Sequence, residues 1–425
     1  MGSKTIEKKL NILIAANEIF PDMYGGVHTG IYELSNGLAK LGHKVSILTR
    51  KVKQDSPPVQ NINNITIYRY QTKNYRPAFL GQIANIIKLN KEFTRLAEKN
   101  NFDIINIHSP HASLGINLSK AAKKIPKVYT FHALLAEEEA SSVSRGMNKG
   151  YSLKRCIKSI WFPVYLSFLR WLEKKALNDA GKIISLSEFT SKCLTEIHKI
   201  SESKIVKIAG GVDSERFAPP QNKNSVRNRL GLPEDKLILF TVRRLVPRMG
   251  LDNLIKAIPA VSEKISNVLL IIGGDGPLYS SLKLLLESLN IREKVILAGF
   301  ISDKNLPLYY QASDLFILPS IELEGFGLVT LEALSSGLPV LATPVGANVE
   351  ILNKLDKDLV FNDISPDAMA SLIIQYLSDN DKRVKVQNKC RKFILENYSL
   401  NGIIDEIEKL FLEISSYAET NTGGI

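Results

Sequence analysis

Residues 318–334 read LPSIELEGFGLVTLEAL, and this stretch decides how the rest of the chain is interpreted. The apolar run before it, residues 312–318, predicts a buried strand. A glycine turn follows and opens an amphipathic helix that ends near Gly337. Glu324 falls in the turn and Glu332 about two helical turns later, at ~3.6 residues per turn. Both carboxylates can therefore face one crevice at the carboxyl end of the strand, where open α/β sheets bind ligands.

The composition is that of a soluble globular protein with more than one domain. The chain has 425 residues, of which 44% are hydrophobic and 23% charged. No apolar run approaches the ~18 residues that span a bilayer, and the polar N-terminus does not resemble a signal peptide. Three widely spaced cysteines argue against a disulfide framework and a cysteine metal site. We therefore expect a cytoplasmic protein.

The net charge of +12 favours anionic partners. Nucleotides and an acidic membrane surface both meet this description, and a generally basic, solvated surface explains it equally well. No nucleic-acid motif is present, so we expect no nucleic-acid partner.

The first glycine-rich turn lies between a strand and a helix. Residues 10–16 predict a strand, Gly25 and Gly26 the turn, and residues 27–41 a helix, followed by a strand at 45–48. Glycines at a helix N-terminus let backbone N–H groups approach an anion, which the helix dipole also favours. A plain turn is the alternative interpretation.

Three further strands of the first half, at residues 104–107, 128–131 and 182–185, each end in a polar residue. This is expected where the carboxyl edge of a parallel sheet lines a cleft. His132 follows the second of these strands, so it is the best candidate for a functional histidine. A structural role is the alternative for any single histidine.

A segment without acidic residues, 141–171, places basic residues beside aromatic ones. Such a segment suits a membrane interface, or an acceptor that carries a lipid or a phosphate. The alternative is a helix packed on its own domain, with Pro163 interrupting its periodicity. The basic residues are Arg145, Lys149, Lys154, Arg155, Lys158 and Arg170, and Trp161 and Trp171 are among the aromatic ones.

The second half begins after a polar linker at residues 221–225 and repeats the α/β pattern. We predict domains at residues 1–218 and 219–398 and a C-terminal segment at 399–425. Arginines 243, 244 and 248 in one loop can balance a diphosphate. Glu332 suits the hydroxyl pair of a ribose, and Glu324 suits a second polyol. Together they predict a sugar-nucleotide site, and the absence of an Asp-x-Asp motif argues against a metal-held diphosphate.

These residues resemble the retaining glycosyltransferases of family 4, which have the GT-B fold. The resemblance covers nearly the whole chain and is carried by the order of its motifs. The most specific is the Glu-x7-Glu pattern of Glu324 and Glu332. The others include residues 244–247, 274–277, 299–300 and 337–340.

The resemblance implies an α/β fold of two Rossmann-like domains with parallel sheets facing across a cleft. The donor lies mainly on the second domain, the acceptor on the first, and a terminal helix crosses back to the first domain. No cofactor and no metal is implied.

The resemblance also implies a role for each matching residue. Glu332 would bind the donor ribose, Glu324 and His132 would lie beside the donor sugar, and Arg244 would neutralise the diphosphate. Gly25 and Gly26 would close on the phosphates. The nucleobase would meet the backbone of Phe300 and Ile301. The remaining donor-binding candidates are Arg243, Arg248, Gly274, Gly325, Phe326, Gly327 and Leu328.

Two departures from the family pattern concern the arginine loop and position 210. Met249 stands where the resemblance implies a diphosphate-binding lysine, and Arg243 replaces the first glycine of that loop. Arg248 or Arg243 could supply the missing charge. Gly210 replaces an asparagine.

We therefore expect a metal-independent, retaining transfer from a nucleoside diphosphate sugar, with a UDP-sugar favoured, to an acceptor hydroxyl of a sugar, a lipid-linked molecule or a protein. The product would be a glycan, a glycolipid or a cell-surface polysaccharide. A GT-B phosphorylase or epimerase and a non-catalytic sugar-nucleotide-binding subunit remain alternatives. A dinucleotide dehydrogenase is disfavoured, because no Gly-x-Gly-x-x-Gly follows the first strand.

Overall fold

The computed structural model describes the backbone of residues 8–72, 78–144 and 153–422. Side chains are described for the same residues except 78–79, 142–144, 153–161 and 418–422. These residues form two α/β domains, each built around its own sheet. The fold class expected from the sequence is therefore confirmed.

The first sheet has the strand order β3-β4-β2-β1-β5-β6-β7-β8, and all of its neighbouring strands are parallel except β3 and β4. Those two strands form a hairpin through Asn63 and Asn64, which have φ angles of 49° and 64°. Asparagine tolerates this left-handed conformation, which two-residue hairpins require. The strands are β1 Asn11–Ala15, β2 Lys44–Arg50, β3 Val59–Ile62, β4 Ile65–Tyr70, β5 Ile104–Ile107, β6 Lys127–Phe131, β7 Lys182–Ser185 and β8 Ile205–Lys207.

The second sheet has the order β11-β10-β9-β12-β13 and is parallel throughout. Its strands are almost continuously apolar, because helices cover both faces. The prediction of a strand at 312–318 was too long: Ala312 ends a helix, and Ser313 and Asp314 precede the strand. The strands are β9 Leu237–Val242, β10 Val268–Gly273, β11 Val295–Gly299, β12 Leu315–Leu318 and β13 Val340–Ala342.

Helices connect the strands, as parallel pairing requires. They are α1 Gly26–Lys40, α2 Ala78–Ala97, α3 Pro110–Asn117, α4 Leu135–Ser144, α5 Leu153–Asp179, α6 Glu188–Lys192, α7 Lys223–Leu230, α8 Leu251–Lys264, α9 Tyr279–Ser288, α10 Leu306–Ala312, α11 Leu328–Ser335, α12 Asn348–Leu355, α13 Pro366–Ser378, α14 Asn380–Asn397 and α15 Leu400–Thr422. Pro163 lies within α5. Among the described residues, no helix is both long and apolar enough to cross a membrane.

The last helix, α15, packs on the first domain although the two preceding helices belong to the second. Ile404 and Phe411 join the apolar cluster that covers one face of the first sheet. Gly37 of α1 permits this contact, since a methyl group there would lie 2.0 Å from Ile404 Cδ1. The chain thus crosses between its two domains twice.

The two domains touch across the cleft through several polar contacts. The Glu350 carboxylate accepts hydrogen bonds from the backbone N–H groups of Glu188 (2.8 Å) and Phe189 (2.6 Å), at the start of α6. Arg216 forms an ion pair with Glu33 of α1 and another with Asp303 of the second domain. The structure is therefore a closed form of the cleft.

Candidate active site

The turn after β12 is shaped by close backbone contacts. Leu323 has a φ of 57°, which is uncommon for a residue with a branched side chain. A methyl group at Gly325 would lie 2.4 Å from the carbonyl oxygen of His132 in the first domain. Ser187 Oγ, also of the first domain, donates to the Gly325 carbonyl at 2.9 Å. The turn therefore fits the first domain only because position 325 has no side chain.

The Glu324 side chain is held by two donors of the second domain. Its Oε2 accepts hydrogen bonds from Arg243 Nη2 and from Ser320 Oγ, the latter at 2.8 Å. Arg243 Nη2 also lies 2.9 Å from Met249 Sδ. Met249 is buried in the core of the domain. Arg243 is thus paired with Glu324, and Met249 packs against it from the core of the domain.

Glu332 lies on α11, partly buried, and accepts a hydrogen bond from Tyr310 Oη at 2.7 Å. Burial raises the pKa of the Glu332 carboxyl, while the Tyr310 hydrogen bond and the Arg216 charge act in the opposite sense. Its second oxygen has no hydrogen bond to any described residue. Glu332 can therefore accept a further hydrogen bond from a ligand hydroxyl.

A crevice between α1 and α11 contains Glu332. Glu33 from the first domain lines it as well, together with Gly26, Gly30 and Leu328. Burial raises the pKa of Glu33 to about 7, and the nearby Glu332 charge adds to the shift, although Arg216 opposes it. Two carboxylates, one from each domain, thus share one crevice.

Arg248 reaches across the cleft to the first domain. It pairs with Glu138 of α4 at 2.7 Å and donates to the Leu323 carbonyl at 3.2 Å. Burial raises the pKa of Glu138, and the Arg248 charge lowers it. The Arg248 charge is therefore balanced by Glu138 in this closed form.

Arg244 differs from its two neighbours in the loop. Its side chain is exposed and makes no hydrogen bond or ion pair within the part of the chain that the structure describes. Its charge lowers the pKa values of His28 and Glu138, so it lies near both. Among the three arginines of this loop, Arg244 is thus the one without a partner in the described residues, and it lies near the start of α1.

His132 belongs to a buried polar chain on the first domain. His132 Nε2 lies 2.9 Å from His108 Nδ1, and His108 Nε2 lies 2.5 Å from Asn106 Oδ1. Burial lowers the pKa of His132 to about 4, with a smaller contribution from His28. Burial also lowers the pKa of His108 well below its ordinary value, so both rings are neutral near pH 7.

The nucleobase candidates lie at the end of β11. Phe300 is 58% exposed, and its ring meets that of Tyr24 edge-on at 5.3 Å, across the cleft. Ile301 is partly buried against the second core. Gly274 has a φ of 125° and allows the close approach of the Arg243 carbonyl, 1.8 Å from where a methyl group would lie. Gly274 therefore shapes the arginine loop.

Four glycines permit close packing or a left-handed backbone near the cleft. Gly25 precedes α1 with a φ of 141°, and a methyl group at Gly26 would lie 3.4 Å from Leu328 Cδ1. At Gly210 a methyl group would lie 2.7 Å from the Phe326 ring. The glycine that replaces the family's asparagine thus leaves room for Phe326. Gly327 caps the start of α11 with a φ of 79°.

The structure brings most of the sequence candidates to one cleft, but they contact different partners there. Glu332, Gly26 and Leu328 share the crevice. Glu324 turns instead toward Arg243 and Ser320. Within the described residues, no group of three His, Cys, Asp or Glu side chains is placed to hold a metal ion.

Sequence reasoning missed Tyr310, Glu33 and Glu138. Glu33 could have been found, because it lies seven residues after Gly26 and so about two turns along the same face of α1. Glu138 follows the strand-end His132 in the next helix. Tyr310 carried no signal, since its hydroxyl meets Glu332 only through the packing of α10 on α11.

Comparison with known proteins places both halves of the chain among glycosyltransferases. Residues 24–216 match the family described as Glycosyltransferase Family 4, and residues 222–393 match Glycosyl transferases group 1. An uncharacterised glycosyltransferase of Methanocaldococcus jannaschii is 26% identical over 408 residues, which cover 95% of this chain and 98% of the relative. A UDP-Gal:alpha-D-GlcNAc-diphosphoundecaprenol alpha-1,3-galactosyltransferase of Escherichia coli is 26% identical over 359 residues, covering 81% and 86%.

Among solved structures, a sucrose-phosphate synthase of Thermosynechococcus elongatus superimposes with a TM-score of 0.78 at 20% identity. The match covers 96% of this chain and 99% of that one. This likeness supports the GT-B arrangement of the two domains.

Proposed function

Because the chain belongs to glycosyltransferase family 4, we propose that it carries out a retaining, metal-independent transfer from a nucleoside diphosphate sugar to an acceptor hydroxyl. We propose a UDP-sugar as the donor, in line with the donor named for the Escherichia coli relative. The observation that carries the proposal is the crevice that joins Glu332 to the glycine turn before α1.

The donor would lie along this crevice. The free oxygen of Glu332 would accept from a ribose hydroxyl, and the nucleobase would meet the end of β11 near Phe300. Arg244, together with the N–H groups of Gly25 and Gly26, would face the diphosphate. These groups stabilise the charge that develops as the diphosphate departs, which is commonly the largest contribution to catalysis.

Glu324 and His132 would orient the sugar. The Arg243 hydrogen bond holds the Glu324 carboxylate in a fixed direction, which supports an orienting role over that of a mobile nucleophile. The acceptor hydroxyl would attack from the face that the diphosphate leaves, and the departing phosphate oxygen would take its proton. Closure of the cleft would exclude water from the sugar.

We propose a lipid-linked acceptor bound on the first domain. The Escherichia coli relative is named for such an acceptor, and helix α5 exposes Val164 (58%) and Trp171 (52%). Arg170 is paired with Glu137. Peripheral contact at the inner face of the membrane would bring this helix to a lipid surface. Arg145 and Lys149 lie outside the described residues, as do the side chains of Lys154, Arg155, Lys158 and Trp161.

Vesicle flotation tests the membrane contact. The protein should float with vesicles containing anionic phospholipid and less with neutral ones, and Trp171→Ser should reduce flotation severalfold. Val384→Ser is the matched control, because Val384 is an exposed apolar residue of the second domain (48%). Equal flotation of Trp171→Ser and the parent protein would remove α5 from the contact.

A donor panel with product analysis tests the activity. The protein is incubated with UDP-, GDP- and ADP-sugars, lipid-linked sugar acceptors and a chelator, and NMR reports the anomeric configuration of the new bond. We expect turnover in chelator and an α-linked product from an α-linked donor. An inverted product would refute retention, and turnover that requires a divalent ion would refute metal independence.

The non-catalytic alternative has its own test. Glu324→Ala should abolish transfer while nucleotide binding persists. Full turnover by that variant, or tight donor binding without turnover of any acceptor by the parent protein, would favour a sugar-nucleotide-binding subunit.

A further inference from the structure

The buried polar chain behind His132 determines which ring nitrogen of that histidine carries the proton. We propose that Asn106 and His108 are positioning residues that leave His132 Nδ1 unprotonated, so that the ring can contact the transferring sugar only as a hydrogen-bond acceptor. The tautomer of His132 follows from contacts within the protein, whereas its consequence for the sugar rests on the proposed function.

The Asn106 side chain is fully buried, and its orientation is fixed by its neighbours. Its Nδ2 lies 3.0 Å from Thr130 Oγ1 and 3.4 Å from the Val128 carbonyl oxygen. A carbonyl oxygen only accepts hydrogen bonds, so the amide nitrogen must face it. Asn106 Oδ1 therefore faces His108 and can act only as an acceptor.

His108 is the next link. Since Asn106 Oδ1 accepts, the proton of the His108 ring lies on Nε2, 2.5 Å away. Burial lowers the pKa of His108 well below its ordinary value, so the ring has one proton near neutral pH. Its Nδ1 therefore carries a lone pair and accepts from the neighbouring ring.

His132 must then supply the proton of the third hydrogen bond. Its Nε2 lies 2.9 Å from His108 Nδ1, so Nε2 is protonated. The ring is neutral, because burial lowers the pKa of His132 to about 4. Nδ1 is left with a lone pair and has no hydrogen bond to any described residue.

This arrangement restricts the chemistry of the sugar. A ligand that meets Nδ1 must present an O–H or N–H group, as a neutral hexose or an N-acetylhexosamine does. A carboxylate at the same place would set lone pair against lone pair. The geometry thus favours neutral sugars over uronic acids and over analogues that lack the contacting hydroxyl, by about three- to tenfold per lost hydrogen bond.

Nitrogen NMR of histidine labelled with 15N reads the tautomer directly in the protein without ligand. Comparison with His132→Gln assigns the His132 signals. We expect the Nε2–H form in the parent protein and a mixture of both forms in His108→Phe, which removes the acceptor. A predominant Nδ1–H form in the parent protein, or an unchanged spectrum in His108→Phe, would overturn the proposal.

Two variants separate positioning from folding. His108→Gln can still donate to Asn106 and accept from His132, so it should keep the Nε2–H form. Asn106→Leu removes the acceptor for His108 and should not. If His108→Gln and Asn106→Leu lose the Nε2–H form equally, the hydrogen-bond chain is not the cause. Thermal unfolding of each variant identifies any that fails to fold.

Donor competition then tests the consequence for the sugar. Using the sugar nucleotide with the highest affinity for the parent protein, we compare it with its single-deoxy analogues and its uronic acid. One analogue should lose about three- to tenfold in affinity, and His108→Phe should reduce this preference. Equal binding of all analogues by the parent protein would contradict the acceptor role. If no sugar nucleotide binds, the proposed function fails, whereas the NMR result still decides the tautomer.

Discussion

Arg243 donates a hydrogen bond from Nη2 to the Glu324 carboxylate, and both side chains are nearly buried, at 7% and 10% exposure. The sequence offered Arg243 as a replacement for a diphosphate-binding lysine. In the structure its charge compensates Glu324, and Met249 contacts it from the core. Arg244, which has no partner among the described residues, is therefore the arginine of this loop that we propose for the diphosphate.

A double-mutant cycle tests this pairing. Arg243→Met should lower the free energy of unfolding by about 3–5 kcal/mol, because it leaves the buried Glu324 side chain without its main partner. Arg243→Met combined with Glu324→Gln should recover most of that loss. Guanidinium denaturation measures both. Strictly additive effects would show that the two side chains do not interact.

Arg244 should contribute to phosphate binding and little to folding. Arg244→Ala should weaken UDP binding about tenfold or more, since it removes a charge-assisted hydrogen bond. Uridine binding and the melting temperature should stay unchanged. Arg292→Ala, which removes an exposed arginine of the same domain, is the control. Calorimetric titration in which Arg244→Ala binds UDP like the parent protein would exclude this role.

Gly325 should be required for closure of the cleft. In Gly325→Ala the new methyl group would overlap the His132 carbonyl oxygen, so the domains cannot meet as they do here. We expect turnover to fall at least a hundredfold with a small change in thermal stability. Gly402→Ala, in helix α15, should retain turnover, because its nearest neighbour is a rotatable hydroxyl at 3.1 Å. Comparable turnover of both variants would argue against closure.

The raised pKa of Glu33 makes stability depend on pH. Its folded-state pKa of about 7 exceeds the ordinary 4.5, so the folded protein binds more protons between these values. The free energy of unfolding should therefore fall as pH rises from about 4.5 to 7, by on the order of 1–3 kcal/mol from this group. Glu33→Gln should reduce that fall.

Glu173 contributes to the same pH dependence of stability, because burial also raises its pKa to about 7. The parent protein and Glu33→Gln are therefore compared by the slope of their denaturation free energies against pH. An identical slope would contradict the assignment for Glu33.

The fold was accessible from the sequence because its signals are local. The apolar runs at 104–107 and 182–185 became strands with the expected bounds, and the glycine turns before α1 and α11 lie where predicted. The error at Ala312 arose because the polar pair Ser313-Asp314, which separates the helix end from the strand, was included in the predicted strand. The hairpin at Asn63 and Asn64 was not predicted, because what identifies it is the left-handed φ of both residues, which is seen only in the structure.

Side-chain partners were not accessible, since they depend on contacts distant in sequence. Arg243, Arg244 and Arg248 look equivalent in the sequence. The structure pairs the first with Glu324 and the third with Glu138 on the other domain. Only closure of the cleft creates the second pair.

The central claim is that Glu332 binds the ribose hydroxyls of the donor nucleotide, and calorimetric titration with UDP and 2′,3′-dideoxy-UDP tests it most directly. Tyr310 holds one Glu332 oxygen at 2.7 Å and leaves the other for the ligand. The parent protein should bind UDP about 10- to 100-fold more tightly than the dideoxy nucleotide, and Glu332→Ala should bind the two almost equally. The same preference for UDP in Glu332→Ala as in the parent protein would contradict the claim.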